Sequence, residues 1–250
     1  MSGSGSHDMS LIYGINAVGE ALKSRRVSRL VHVRGAGNRV DLLIARAHEL
    51  RIPIETIDRM AMEKLARGGV HQGVAADLQA LPAYTVEELV QEAEGPPLLV
   101  VLDSVEDPQN VGAILRSVDG AGGHGVVRQA RHAAPLDGAT AKVSAGAVNH
   151  VKIATVVNIS RAIEELKGLG VWTIGLAGEA EETYDDLDLT MPTALVVGAE
   201  GEGLRRLVRE TCDRLVRIPM GGQVESLNVS VAAGVVLFEA ARQRRKAGGG

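Results

Sequence analysis

From Leu11 onward the chain alternates short runs rich in Val, Ile and Leu with stretches whose apolar residues recur every three or four positions. These are the periods of strand and helix. In the front part, Asn16 is placed to cap a helix running to Ser24, Arg29 to Val33 reads as a strand, and Val40 to Leu50 has helical spacing. Ile52 to Ile57 and Gly73 to Leu78 read as further strands, with a helix around Met60 to Ala66 between them. Such an alternation predicts a small α/β unit over residues 11–79.

Residues 80–97 interrupt the pattern with Pro82, Gly95, Pro96 and Pro97, and hold one short helix that Thr85 and Glu88 can open as a capping box. They are expected to form a linker. Beyond it, strands are predicted at Leu98 to Leu102, His124 to Arg128, Val151 to Ala154, Val171 to Leu176, Ala194 to Val197 and Arg214 to Ile218. Helices are predicted near Asn110 to Gly120, Asp137 to Ala145 and Ser160 to Leu169, from about Leu204, and from Leu227 to Arg244. Short β-branched strands separated by helices mean a mostly parallel sheet covered on both faces, spanning 98–250. Ligands of such sheets bind at the carboxyl ends of the strands. Residues 1–10, beginning MSGSGSHDM, read as an expression leader without a fold of its own.

Composition narrows the chemistry. No apolar run approaches the roughly 18 residues needed to cross a bilayer, so a soluble protein is expected. A single cysteine, Cys212, forms no internal disulfide or thiolate metal cage and fits a reducing cytoplasm. Aromatic residues make up 2% of the chain, which leaves few rings for stacking bases. Net charge is -4, but residues 11–79 carry eleven Lys/Arg against seven Asp/Glu. A positive front part suits a phosphate-rich partner and equally an ordinary solvated surface.

Gly120, Gly122 and Gly125 satisfy the spacing of a dinucleotide fingerprint, yet a helix precedes them and a strand follows, the reverse of what pyrophosphate binding requires. They are read as a helix end and turn. Gly198, Gly201 and Gly203 do follow a strand, but no lysine succeeds them, and Glu200 and Glu202 would repel phosphate. That loop is either an ordinary turn or a site for ribose hydroxyls and a positive centre. In IPMGGQVESLNVSVAAGVVLFEA the polar Ser226, Asn228 and Ser230 open a helix as caps or as part of a binding loop. LDSVEDPQNVGAILRS places Asn110 and Arg116 near the end of the most apolar strand, with Arg116 expected to be half-buried among Ile114, Leu115 and Val118. Histidines show no metal-ligand spacing and no nucleophile elbow is present, so metal and hydrolase chemistry have no support.

Three blocks, LDSVEDPQNVGAILRS, ALVVGAEGEGL and IPMGGQVESLNVSVAAGVVLFEA, resemble in order and spacing the signature of the SpoU/TrmH family of RNA ribose 2′-O-methyltransferases. KVSAGA at residues 142–147 agrees, and LIYGINAV and VHQGV resemble the N-terminal domain of the family's bacterial 23S rRNA guanosine-modifying members. The resemblance implies a SPOUT domain with a deep trefoil knot, preceded by a small L30/L7Ae-like RNA-binding domain, and a homodimer. It implies S-adenosyl-L-methionine as cofactor, held near Leu176, Ala177, Gly178, Gly198, Ile218, Met220 and Leu227. By the same resemblance Asn110, Arg116, Glu200, Ser226 and Asn228 serve catalysis of methyl transfer to a guanosine ribose of large-subunit rRNA. A guanidinium is effectively always protonated, so Arg116 is expected to bind phosphate and stabilise developing alkoxide charge rather than act as a base. The run Arg128, Gln129, Ala130, Arg131, His132 departs from the Pro-Lys-Asp type turn usual in the family, on the side expected to meet RNA. The alternatives are a tRNA ribose methyltransferase and an RNA-binding assembly protein without catalysis.

Overall fold

Two β-sheets organise the chain, and in the computed structural model residues 11–79, 81–131, 133–136, 138–224 and 226–248 are described. The leader and His132 lie outside the described residues. Contacts divide the chain into a front unit ending at Leu81 and a rear unit beginning at Pro82.

The front unit runs β1 (Leu11–Tyr13), α1 (Ile15–Lys23), β2 (Val27–Val33), α2 (Asn38–Glu49), β3 (Ile54–Ile57), α3 (Arg59–Leu65) and β4 (Val74–Leu78). Its sheet has the order β1-β4-β2-β3, with β4 antiparallel to both neighbours and β2 parallel to β3. Asn16 does not cap α1 as expected. Gly14 takes that position at φ 93°, and Asn16 instead accepts a hydrogen bond from Arg39 at 3.2 Å. Strand β1, too short for a period to show, was not predicted. One sheet face packs Leu30, Val74 and Ala76 against Val18, Leu22 and Val40 of the helices, while Met62 covers Val31 and Ala75 on the other. Asp77, though buried in β4, is paired with Arg29 at 2.7 Å, and this bond raises the guanidinium's pKa.

The rear unit holds α4 (Val86–Gln91), β5 (Leu98–Leu102), α5 (Pro108–Gly120), β6 (Gly125–Gln129), α6 (Gly138–Val143), β7 (Lys152–Val156), α7 (Ile159–Gly168), β8 (Trp172–Leu176), β9 (Glu182–Thr183), β10 (Thr193–Val197), α8 (Arg206–Thr211), β11 (Arg214–Arg217) and α9 (Val229–Ala247). Its sheet is parallel throughout, in the order β7-β6-β5-β10-β8-β11-β9. The stretch read as a linker packs on this unit from Pro82 onward. The Thr85–Glu88 capping box opens α4, whose Val86 and Leu89 are buried in the rear core.

At the centre of the sheet, Leu98–Leu102 of β5 aligns with Thr193–Val197 of β10, and all ten residues are buried. Leu99, Val101, Ala194 and Val196 meet Ile159, Ile163 and Leu166 of α7 on one face. Strand alternation turns Val100, Leu195 and Val197 to the other face, where α5 and α9 pack on each other. Full burial of each Leu, Ile or Val is worth about 1.5–3 kcal/mol, so this central pair is the firmest support for whatever its carboxyl ends carry. No helix among the described residues is long and apolar enough to cross a membrane.

Candidate functional site

The loops that leave the carboxyl ends of β8, β10 and β11 converge with the start of α9 around a cleft of about 290 Å³. Residues 176–179, 197–203 and 216–218 line it, together with Met220, Ser226, Leu227, Val229 and Ala232. Leu176, Ala177, Gly178, Gly198, Ile218, Met220 and Leu227, named from the sequence, all lie on this wall.

Gly198 turns the loop after β10 back on itself. A Cβ there would sit 2.1 Å from the Gly203 carbonyl, so only glycine fits. The Gly203 amide closes the loop by donating to the Ala199 carbonyl at 2.9 Å. Gly201 and Gly203, at φ 83° and 70°, take the left-handed conformations the turn demands. The result is a cradle of backbone beside acidic Glu200 and Glu202.

Next to this loop three polar side chains meet. Asp107 and Pro108 start α5, with the Asp107 carboxylate accepting from the Gln109 amide at 3.0 Å, and so place Asn110 in its first turn. Asn110 is 6% exposed; its amide donates to Glu200 at 3.3 Å, and its oxygen accepts from Asn228 at 2.9 Å. Asn228 caps α9, its oxygen accepting from the Ser230 amide at 2.9 Å and the Ser230 hydroxyl at 2.6 Å. Its oxygen so engaged, Asn228 turns its amide toward Asn110 and, at 3.5 Å, Glu200. Buried polar groups must be satisfied, and Glu200 and Asn228 satisfy the amide and the oxygen of buried Asn110.

Arg116 differs from expectation. Its side chain is exposed and makes no ion pair or hydrogen bond among the described residues, because Val111, Ile114, Leu115 and Val118 fill the buried stripe of α5 and leave Arg116 on the outer side. Ser226 is also exposed and lines the cleft. The structure therefore joins Asn110, Glu200 and Asn228 directly, puts Ser226 on the same cleft as Glu200, and leaves Arg116 free to meet an anion.

Sequence reasoning passed over Glu179 and Arg217, which also line the cleft, and Arg205, whose ion pair reaches fully buried Asp103. An arginine two residues past the glycine loop was the available signal. In the unusual segment, Arg128 donates to the Ala134 carbonyl at 2.7 Å, and burial lowers its pKa. Burial pushes the Cys212 thiol up to about 12, so it is a packing group and not a nucleophile.

Comparison with known proteins identifies relatives over nearly the whole chain. The SpoU rRNA Methylase family matches residues 97–238, and the RNA 2'-O ribose methyltransferase substrate binding family matches residues 11–84. The chain is 47% identical to the 23S rRNA (guanosine-2'-O-)-methyltransferase RlmB of Pseudomonas syringae pv. tomato over 240 residues, covering 93% of this chain and 95% of that one. Among solved structures it resembles the SpoU methyltransferase AviRb from Streptomyces viridochromogenes in complex with the cofactor AdoMet, with TM-score 0.72, 26% identity, and coverage of 94% and 90%. The A. aeolicus TrmH/SpoU tRNA modifying enzyme matches at TM-score 0.56 and 30% identity, over 65% of this chain and 84% of that one.

Proposed function

The chain belongs to the SpoU rRNA methylase family, and on that premise we propose how it works as an S-adenosylmethionine-dependent enzyme that 2′-O-methylates a guanosine ribose of 23S rRNA. The observation that carries the assignment of residues is the glycine cradle at Gly198 joined, through Glu200, to Asn110 and Asn228. The cradle fits the cofactor: Gly178, Gly201 and Gly203 line the cleft with open space where a Cβ would stand, so backbone there can approach an adenosine closely, and the acidic rim suits a sulfonium better than a phosphate. Leu176, Ala177, Gly178, Gly198, Ile218, Met220 and Leu227 hold it. When bound, S-adenosylmethionine supplies an electrophilic methyl group.

Asn110, Glu200, Ser226 and Asn228 orient the ribose and the loop by hydrogen bonds. Exposed Arg116 takes the neighbouring phosphate and stabilises negative charge developing on the 2′-oxygen. The front unit, residues 11–79, is the RNA substrate-binding domain, of the L30/L7Ae kind, and the rear unit is the methyltransferase domain, closed as a trefoil knot. Support for the knot is the strand order, in which β10 lies between β5 and β8 and three successive carboxyl-end loops share one cleft. We assign a homodimer from α9, where Val231 and Phe238 are each half exposed. We place it in the cytoplasm, with which a chain of one cysteine and no internal disulfide is compatible.

The test is transfer of labelled methyl from S-adenosylmethionine to unmodified large-subunit rRNA, with tRNA and small-subunit rRNA in parallel reactions, followed by digestion to nucleosides. The expected product is 2′-O-methylguanosine from large-subunit rRNA alone. Label in tRNA would move the substrate to the class of the A. aeolicus relative. Arg116→Ala should lower kcat by about 100-fold or more. Cofactor affinity should stay close to wild type; equal loss of both would overturn the role given to Arg116.

A further inference from the structure

The glycine loop 198–204 is pinned at both ends to a single residue. At its entry the Asp103 amide donates to the carbonyl of Val197, the last residue of β10, at 2.8 Å. At its exit the Asp103 carboxylate accepts from the Arg205 amide at 2.8 Å and from Arg205 Nε at 2.7 Å, with Nη2 of the same guanidinium 2.6 Å from Oδ1. Arg205 Nη2 also donates to Gln129 at the end of β6, at 3.1 Å. The carboxyl ends of three adjacent strands, β6, β5 and β10, are thereby tied to the two ends of one loop.

Asp103 is completely buried, whereas the Arg205 side chain is 49% exposed. A buried carboxylate is costly to desolvate, and a well-packed apolar pair often serves stability as well or better. What the ion pair supplies that an apolar pair cannot is direction: the guanidinium's Nε and Nη2 meet Oδ1 while the backbone amide of the same residue meets Oδ2, which fixes one orientation of the chain at Arg205. Within the loop, the short Ala199–Gly203 closure and the Asn110–Glu200 bond are local and do not fix its exit. Three of its residues are glycines, and glycine has the most freedom to lose on ordering.

We propose that Asp103 and Arg205 are positioning residues that clamp the glycine loop in its ligand-ready shape, so that the cofactor does not have to order it on binding. The proposal rests on the cofactor reading of the cleft. Neither residue lines the cleft itself, so the effect on the cofactor is transmitted through the loop.

The test uses the full chain, S-adenosylmethionine, and three variants. Asp103→Asn keeps the volume and an oxygen for the Arg205 amide but removes the charge. Arg205→Lys keeps the charge without the fork, and Gln129→Ala removes only the outer contact. Calorimetric titration should show the Kd for S-adenosylmethionine raised about tenfold in Asp103→Asn, less in Arg205→Lys and least in Gln129→Ala. The KM for the cofactor should rise in step while kcat at saturation falls less than about threefold, the split expected when ordering rather than chemistry is lost. Thermal unfolding should remain cooperative, and should Asp103→Asn fail to fold, the two variants at the exposed end carry the test. A lower unfolding temperature with unchanged Kd, or kcat lost in proportion to affinity, overturns the clamp. Wild-type protein that does not take up S-adenosylmethionine overturns the cofactor reading itself, an outcome visible before any variant is compared.

Discussion

Two glycine-rich turns of the rear unit, at 120–125 and 198–203, carry the same residue type at similar spacing and sit at opposite ends of their strands. The first joins the end of α5 to the start of β6. Gly122 there is left-handed at φ 72° with open space around it, while a Cβ on Gly123 or Gly125 would press on the side chains of Val118 or Leu89 at 2.8 Å. These glycines end α5 and let α4 lie close on the start of β6. The second turn follows β10 at the carboxyl end of the sheet, and its tightest approach is backbone to backbone at Gly198. Glycine is needed in both; only the second turn lines a cleft. Position relative to strand direction, not glycine spacing, separates a packing turn from a binding turn.

Substitutions can break this contrast. Gly198→Ala should have the largest effect, because a methyl group cannot share space with the Gly203 carbonyl: about 3 kcal/mol of stability lost, with cofactor binding below detection in the same preparation. Preserved affinity would mean that the cradle is not where the ligand lies. Gly125→Ala presses on the movable Leu89 side chain and, at 3.0 Å, on the Lys152 carbonyl, and should cost about 1–2 kcal/mol in denaturant unfolding with cofactor affinity unaltered. The smallest pair sharpens the comparison most. Gly122→Ala and Gly201→Ala both impose left-handed strain in open space and should each cost about 1 kcal/mol. Only Gly201→Ala should weaken S-adenosylmethionine in titration, and equal affinities in the two variants would erase the distinction.

The same contrast marks what was legible in the sequence. Strand β5 is legible to the residue because five consecutive apolar positions lie between Pro97 and Asp103. The order of helix and strand marks the first glycine turn as a helix end and leaves the second open between an ordinary turn and a binding loop. The exposure of Arg116 was misjudged because apolar neighbours along the chain do not surround a helical residue; its side chain points away from the stripe they form. The linker was misread because proline and glycine mark a change of direction, which also occurs inside a packed unit. Asp103 and Arg205 lie 102 positions apart, and nothing local in either segment announces their pairing. The roles of the site residues came from the family motifs, not from any periodicity.

Asn228 both starts the last helix and closes the polar cluster, and this has a consequence in time. Asn110 and Glu200 are 90 positions apart and Asn110 and Asn228 are 118 apart, so the cluster joins regions made at different moments of translation. At about 5–20 residues per second, Asn110 waits on the order of ten seconds for its last partner to be synthesised. A growing chain therefore holds its central strand β5 well before the start of α9 completes the polar cluster.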